Sequence, residues 1–231
     1  MTAFFSDFAT WLLPLSCALC GDAVTRGRVH LCDACRATLP RNANQCPCCA
    51  VPTPQSELCG ACLKKPPAFD ATFCAYQYAF PLNRLIQNFK YGKKLALTHT
   101  LSALLIDGIH QEAVKTCDAV MAMPLAPARQ IERGFNQSHE IAKNTARVLG
   151  LPYRHRALMR IKDAPKQATL TLQERKKNVR DAFLCRKPIP NEHILLIDDV
   201  MTTGATAHAA ATALRKAGAA RVTVAVIART I

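Results

Sequence analysis

The stretch Ile194–Thr206, I-L-L-I-D-D-V-M-T-T-G-A-T, opens on four consecutive apolar residues, passes two acids and ends in a hydroxyl-rich turn around one glycine. A short apolar run that stops at turn residues is the mark of a strand buried on both faces, as in parallel sheets. An alanine-rich helix follows as far as Ala217, closed by Gly218. In open α/β sheets ligands sit beyond the carboxyl ends of the strands, which is where Asp198, Asp199 and the loop Met201–Thr206 fall. Paired carboxylates at such a place can accept the vicinal hydroxyls of a ribose. The backbone N–H groups of Thr202, Thr203, Gly204 and Ala205, entering a helix N-terminus, make an anion cradle. Thr202, Thr203 and Thr206 add hydroxyl donors, and Gly204 permits a left-handed turn and close backbone approach.

Outward from this stretch the pattern alternates. The periodicities predict a strand around Thr72–Tyr78 and a helix carrying Leu82, Leu85, Ile86 and Phe89, then a second helix with Leu97, Leu101, Leu104 and Leu105. A strand at Asp118–Met123, a helix from about Asn136 to Leu149, a polar excursion from Lys162 to Asn178 and a last strand at Val222–Ala228 complete the series. Strands alternating with helices argue for a parallel α/β sheet flanked by helices.

The first 62 residues are of another kind, with four C-x-x-C pairs: Cys17/Cys20, Cys32/Cys35, Cys46/Cys49 and Cys59/Cys62. Two cysteines so spaced can turn both sulfurs toward one ion, and tetrahedral Zn²⁺ needs two such knuckles. Eight ligands make two structural sites, arranged as ribbons in series or cross-braced. Cys48 lies inside the third pair and could replace Cys46 or Cys49 as ligand. A module this small buries too little surface to hold itself without metal. Lys64-Lys65-Pro66-Pro67 then marks a linker. The expected organisation is an amphipathic helix over 1–16, a double zinc ribbon over 17–66 and an α/β domain over 67–231.

Residues 2–17 have the outline of an export signal, but no Lys or Arg precedes Arg26, Asp7 interrupts the apolar run, and the run is too short to span a bilayer. Phe4, Phe8, Trp11, Leu12 and Leu15 instead form one helical stripe. A cytoplasmic protein without stable membrane insertion is expected, and paired thiols then favour metal over disulfides. The formal charge of +14 over 231 residues falls wholly on residues 63–231. Such a surplus suits phosphorylated ligands and nucleic acid. Cys74, Cys117 and Cys185 fit buried apolar positions, and the seven histidines show no ligand spacing.

The acid pair with its T-T-G-A-T turn resembles the 5-phosphoribosyl 1-pyrophosphate (PRPP) signature of type I phosphoribosyltransferases. Over nearly its full length the chain resembles the ComF family of competence and DNA-utilisation proteins. The likeness rests on the cysteine pairs, the PRPP loop, Phe89-Lys90-Tyr91-Gly92, Met123-Pro124-Leu125, Arg129, Arg133-Gly134-Phe135-Asn136-Gln137, Gln167, Leu172, Arg175, Asn178 and Ala182-Phe183. It implies a type I phosphoribosyltransferase fold behind a zinc module, with a role in uptake or use of foreign DNA.

Displacing pyrophosphate from an anomeric carbon builds positive charge on the ribose and negative charge on the leaving group. Catalysis there needs oriented acceptors, Mg²⁺ and cations. Asp198 and Asp199 are the expected ribose holders, and Met201–Thr206 the 5′-phosphate loop. Pro124 and Leu125 match the place of the pyrophosphate loop in the fold, and Arg129 and Arg133 share a face if helical; Lys90 is a weaker candidate. Lys166, Gln167, Arg175 and Lys176 suit a hood over the substrate. Two readings stand: a Mg²⁺-dependent enzyme that transfers or hydrolyses the phosphoribosyl group, or an inactive PRPP-fold module that binds single-stranded DNA beside other competence proteins. Lys93, Lys94, Lys176 and Lys177 are the candidate DNA contacts.

Overall fold

The computed structural model describes residues 15–24, 29–92, 94–161 and 182–231. In chain order these form β1 (Leu15–Ser16), β2 (Ala23–Val24), α1 (Asp33–Ala37), α2 (Gly60–Lys64), β3 (Ala71–Gln77), α3 (Leu82–Tyr91), α4 (Thr98–Ile106) and α5 (Gln111–Val114). There follow β4 (Ala119–Ala122), α6 (Pro127–Arg133), α7 (Gln137–Leu149), β5 (Leu158–Arg160), β6 (Phe183–Cys185), β7 (His193–Met201), α8 (Ala205–Lys216) and β8 (Arg221–Arg229). The α/β class expected from the alternation is observed: β3, β8, β7 and β4 lie in that order in one wholly parallel sheet.

Both faces of the sheet are covered, which explains why its strands are apolar without alternation. Leu195, Ile197, Ala225 and Ile227 face one core with Leu85 and Phe89 of α3, Leu101 and Leu105 of α4, and Ile141 of α7. Ile194, Leu196, Val222, Val224 and Val226 face the other, with Ala210, Ala211 and Leu214 of α8. Small alanines on α8 let the helix lie close to the sheet.

The cysteine-rich module closes the outer edge of β3. Gln77 and Asn42 donate their backbone N–H groups to Pro40 (2.8 Å) and Ala75 (2.9 Å), and Thr72 donates to Pro47 (3.1 Å). An open edge invites pairing with another chain; here residues 40–47 occupy it. At the opposite edge β4 exchanges hydrogen bonds with residues 152–154. Among the described residues no helix is long and apolar enough to cross a membrane.

Three expectations are corrected. Leu15 and Ser16 pair with Val24 and Ala23 in a small antiparallel hairpin, so a helix through residue 16 does not hold; the Cys17–Cys20 turn needs two strands leading in and out. Strand β7 runs on past Ile197 to Met201, with Asp198 opposite Val226 and Met201 opposite Arg229. The apolar run stops where side chains become charged, but the backbone ladder does not. Cys185 is only half-buried, packing at the margin of the core rather than within it. The stripe at Phe4–Leu12 and the hood candidates Lys166, Gln167, Arg175 and Lys176 lie outside the described residues.

Candidate functional site

The eight paired cysteines gather into two clusters taken in sequence, Cys17/Cys20/Cys32/Cys35 and Cys46/Cys49/Cys59/Cys62, each with its sulfurs within 4.8 Å of one another. Ribbons in series, rather than cross-bracing, are therefore the arrangement. Tetrahedral Zn–S bonds of about 2.3 Å place ligand sulfurs about 3.8 Å apart. Cys20 and Cys32 Sγ are 3.7 Å apart, and Cys49 and Cys59 Sγ 3.6 Å, so the residues fit the ion. Knuckle geometry turns backbone amides toward sulfur: Cys35 N–H donates to Cys32 Sγ and Cys59 N–H to Cys46 Sγ, both at 3.4 Å. Burial alone would raise the Cys17 and Cys46 thiols, but surrounding backbone N–H groups bring them down to about 6 and about 7. Each cluster thus contains a sulfur ready to be a thiolate, the form that binds metal. Cys48 is in neither cluster. Its Sγ faces the Phe69 carbonyl at 3.9 Å and its own carbonyl accepts from Thr72 Oγ1 at 2.7 Å.

Strand β7 brings the two acids to the carboxyl end of the sheet, turned differently. Asp198 lines a cavity of about 40 Å³ with Thr202, Gly204, Thr206 and Ala207. Its Oδ1 accepts from Ser138 Oγ at 2.8 Å and from the Asp199 N–H at 2.9 Å. Burial, and then the charge of Asp199, push the Asp198 carboxyl up to about 7, against the lowering effects of Ser138, the Asp199 amide and Lys90. Asp199 is buried and pairs with Lys90 Nζ at 2.9 Å. After Met201 the chain turns through Thr202–Gly204 into α8, with Gly204 at φ +79° as the cap and Thr203 Oγ1 accepting from Ala205 N–H at 3.3 Å. The turn and helix start expected around Gly204 are present: the twelve-residue α8 begins at Ala205, directly behind it.

A Cβ on Gly204 would lie 3.7 Å from Met201 Sδ and 3.9 Å from Phe69 Cζ, which is ordinary contact. The demand for glycine therefore comes from the backbone angle. Gly204→Ala is expected to lose about 1–2 kcal/mol on chemical denaturation, and Gly204→Val more. An unchanged denaturation midpoint in Gly204→Ala would show that the left-handed turn is not retained in solution.

The sequence compares with known proteins over almost its whole length. It is 32% identical over 224 residues to DNA utilization protein YhgH of Escherichia coli (strain K12), covering 95% of this chain and 99% of that protein. The chain belongs to the ComF family. Competence protein F of Haemophilus influenzae is 31% identical over 211 residues, covering 84% of this chain and 90% of that one. Within this ComF chain, residues 8–63 match the double zinc ribbon domain and residues 137–230 the phosphoribosyl transferase domain. Among solved structures, an adenine phosphoribosyltransferase is 14% identical with a TM-score of 0.36, over 58% of this chain and 73% of that one.

The remaining site residues of this ComF protein scatter around the two acids. Pro124 and Leu125, just beyond β4, line an open groove of about 480 Å³. Arg129 and Arg133 both lie on α6, but Arg129 is exposed and Arg133 is buried. Arg133 donates from Nη1 to Gln137 Oε1 (2.9 Å) and from Nη2 to Tyr91 OH (3.2 Å), while its guanidinium lies over the Tyr91 ring. Its Nε, also buried, meets no acceptor. Helical spacing alone missed this, since the partner on which one arginine stacks, Tyr91, lies 42 positions away. Lys90 was underweighted for the same reason. Ser138, which holds Asp198, and Arg229, at the end of β8, went unnoticed because a lone serine or a terminal arginine carries no spacing signal. Lys94 is exposed; Lys93, Lys166, Gln167, Arg175, Lys176 and Lys177 lie outside the described residues.

Proposed function

We propose that this protein binds PRPP with Mg²⁺ over the carboxyl ends of β4 and β7 and transfers the phosphoribosyl group to an acceptor or to water, in the uptake or use of DNA. The observation that carries this reading is the pair of carboxylates at the end of β7 running directly into a glycine-turned helix N-terminus. One motif thereby offers ribose acceptors and a phosphate cradle a few residues apart. Asp198 and Asp199 hold the ribose hydroxyls, and Thr202–Thr206 take the 5′-phosphate. Pro124 and Leu125 border the pyrophosphate, with Arg129 as the reachable cation. Mg²⁺ supplies charge neutralisation on the leaving group. As the C1–O bond to pyrophosphate breaks, a lone pair of the acceptor or of water forms the new bond to C1, and the acceptor's proton passes to a base or to solvent. Lys90 leaves Asp199 when the ribose arrives. The two cysteine clusters hold structural zinc. The names of the relatives, DNA utilization and competence, support the DNA context.

Titration calorimetry with PRPP and Mg²⁺, followed by pyrophosphate release with and without nucleobases and single-stranded DNA, tests the reading; no binding at any Mg²⁺ concentration would end it. A pH series sharpens the test. Asp198 accepts best when ionised, so affinity is expected to rise as pH passes through about 7. Asp199→Asn removes the second cause of the shift, and whatever binding remains should titrate at lower pH. The stability effect has the opposite sense. With a folded value near 7 above an ordinary 3.8, the protonated acid's contribution is complete below about 4 and is lost as pH rises through about 7. A binding profile flat between pH 5 and 9 would exclude Asp198 from the site.

A second reading, single-stranded DNA binding, is favoured by the groove beyond Pro124. Arg154, Arg156, Arg160 and Arg186 line it beside Tyr153 and His155, a mixture of cations and rings suited to phosphates and stacked bases. Salt-dependent fluorescence anisotropy measures it, and binding indifferent to salt would rule it out.

A further inference from the structure

Arg229 is 5% exposed at the carboxyl end of β8. Among the described residues no carboxylate pairs with it. Its guanidinium spans two modules instead: Nε donates to the Cys49 carbonyl at 3.1 Å, and Nη1 to the carbonyls of Met201 at 3.2 Å and Thr230 at 2.9 Å. A buried cation is costly unless oriented acceptors hold it, so the position of these carbonyls is what keeps the side chain in place. Cys49 belongs to the second cysteine cluster, and Met201 is the residue at which strand β7 gives way to the phosphate loop. A second contact runs in parallel. Cys48 Sγ touches the Phe69 carbonyl, and the Phe69 ring lies against Gly204, the turning residue of that loop. Cys46, Cys62, Phe69 and Met201 share one buried cluster with Val224 and Val226.

We infer that Arg229 is a positioning residue that couples metal occupancy of the Cys46/Cys49/Cys59/Cys62 cluster to the phosphate loop. With the ion bound, the Cys49 carbonyl is fixed. The planar guanidinium transmits that position to the Met201 carbonyl, and the loop is held open for phosphate. Without the ion Cys49 is free to turn, Arg229 loses an acceptor, and the Met201 carbonyl loses its side-chain anchor, keeping only the Thr230 N–H at 3.0 Å. The second zinc is thus an affinity-setting part of the phosphate site, whereas the Cys17/Cys20/Cys32/Cys35 cluster, which among the described residues makes no hydrogen bond to the loop, is not. This rests on the readings that the loop takes PRPP and that the clusters take zinc.

Linkage makes the coupling reciprocal, so PRPP must hold zinc in the second cluster as tightly as that zinc favours PRPP. The test is the equilibrium partition of zinc between the intact protein and 4-(2-pyridylazo)resorcinol, with and without PRPP and Mg²⁺, alongside calorimetry. The apparent zinc affinity of one of the two sites is expected to rise on the order of tenfold while the other is unchanged. Cys20→Ser, which disables the first cluster, should leave the protected site. Arg229→Met should weaken PRPP by a comparable factor and abolish the protection; Arg229→Lys, which keeps the charge but loses the fork, should keep only part of each and serves if the methionine variant does not fold. PRPP that binds without raising the zinc affinity of either site, or arginine variants that keep affinity and protection, would overturn the coupling alone. Failure of PRPP to bind the wild-type protein would take the underlying reading with it.

Discussion

Asp198→Asn combined with Asp199→Asn is expected to lower PRPP affinity by at least two orders of magnitude. Hydrogen bonds to charged groups contribute about 1.5–3 kcal/mol each, and the double variant weakens two of them at once. The two positions also differ in what they do to the unliganded protein. Asp198 holds a charge that burial disfavours, so Asp198→Asn should stabilise the fold above pH 7 while weakening binding, a trade common where a site is built at a cost to the fold. Asp199 is the partner of Lys90 at 2.9 Å, with both side chains largely buried. Asp199→Asn strands that lysine and should destabilise the protein, since breaking a buried pair by removing one partner leaves an uncompensated charge. Calorimetry at pH 8 together with a melting curve for each single variant separates the effects. Unchanged PRPP affinity in the double variant would place the site elsewhere.

Cys46→Ser is expected to do more damage than Cys32→Ser. Cys46 and Cys62 are buried within the same cluster as Phe69, Met201, Val224 and Val226, so the second metal sits against the core of the α/β sheet. Around the first cluster Cys20 is exposed and Cys32 and Cys35 half-buried. That cluster reaches a core through Cys17, which is buried together with Leu31, Leu101 and Leu105, while its other contacts lie nearer the surface, among them His30 N–H to Thr100 Oγ1 at 2.8 Å and the Arg36–Asp107 pair. Loss of a structural metal belongs with the largest single-site effects, above about 4 kcal/mol, which for a chain of this size is about 10–15 °C in melting temperature. Cys46→Ser should show that drop across the whole protein; Cys32→Ser should unfold its own ribbon and spare much of the sheet. Elemental analysis should return close to two zinc ions for the wild type and about one for either variant. A wild type free of zinc, or a Cys46→Ser melting curve that overlays it, would defeat the expectation.

What was legible from sequence follows the range of the signals. The apolar run Ile194–Ile197, the Leu82–Phe89 stripe and the C-x-x-C pairs are local patterns whose period or spacing dictates geometry, and each marks an element that is present, with β7 running past its apolar run to Met201. The acid pair and the glycine turn were legible because strand, charge and helix start are contiguous in the chain. What escaped lies across the fold. Lys90 meets Asp199 over more than a hundred residues, Ser138 reaches Asp198 from another helix, and Arg229 joins Cys49 to Met201. No periodicity records such meetings, since they depend on which strands become neighbours. The small pieces α6, β5 and β6 were missed for a different reason: three to seven residues hold too few repeats to declare a period.

Sheet order also bears on how the chain is made. Ala71 of β3 pairs with Thr223 of β8, while the cysteine module that shields the other edge of β3 precedes both. During synthesis from the N-terminus, β3 emerges long before its partner and must wait through most of the chain with one side unpaired. Only the module can shield it in that interval, and it can do so only once metal has folded it. Zinc supply at the ribosome would then govern the yield of folded protein as well as its final stability, and a nascent chain starved of the ion would carry β3 with both edges bare, where the finished protein pairs one with β8 and the other with residues 40–47.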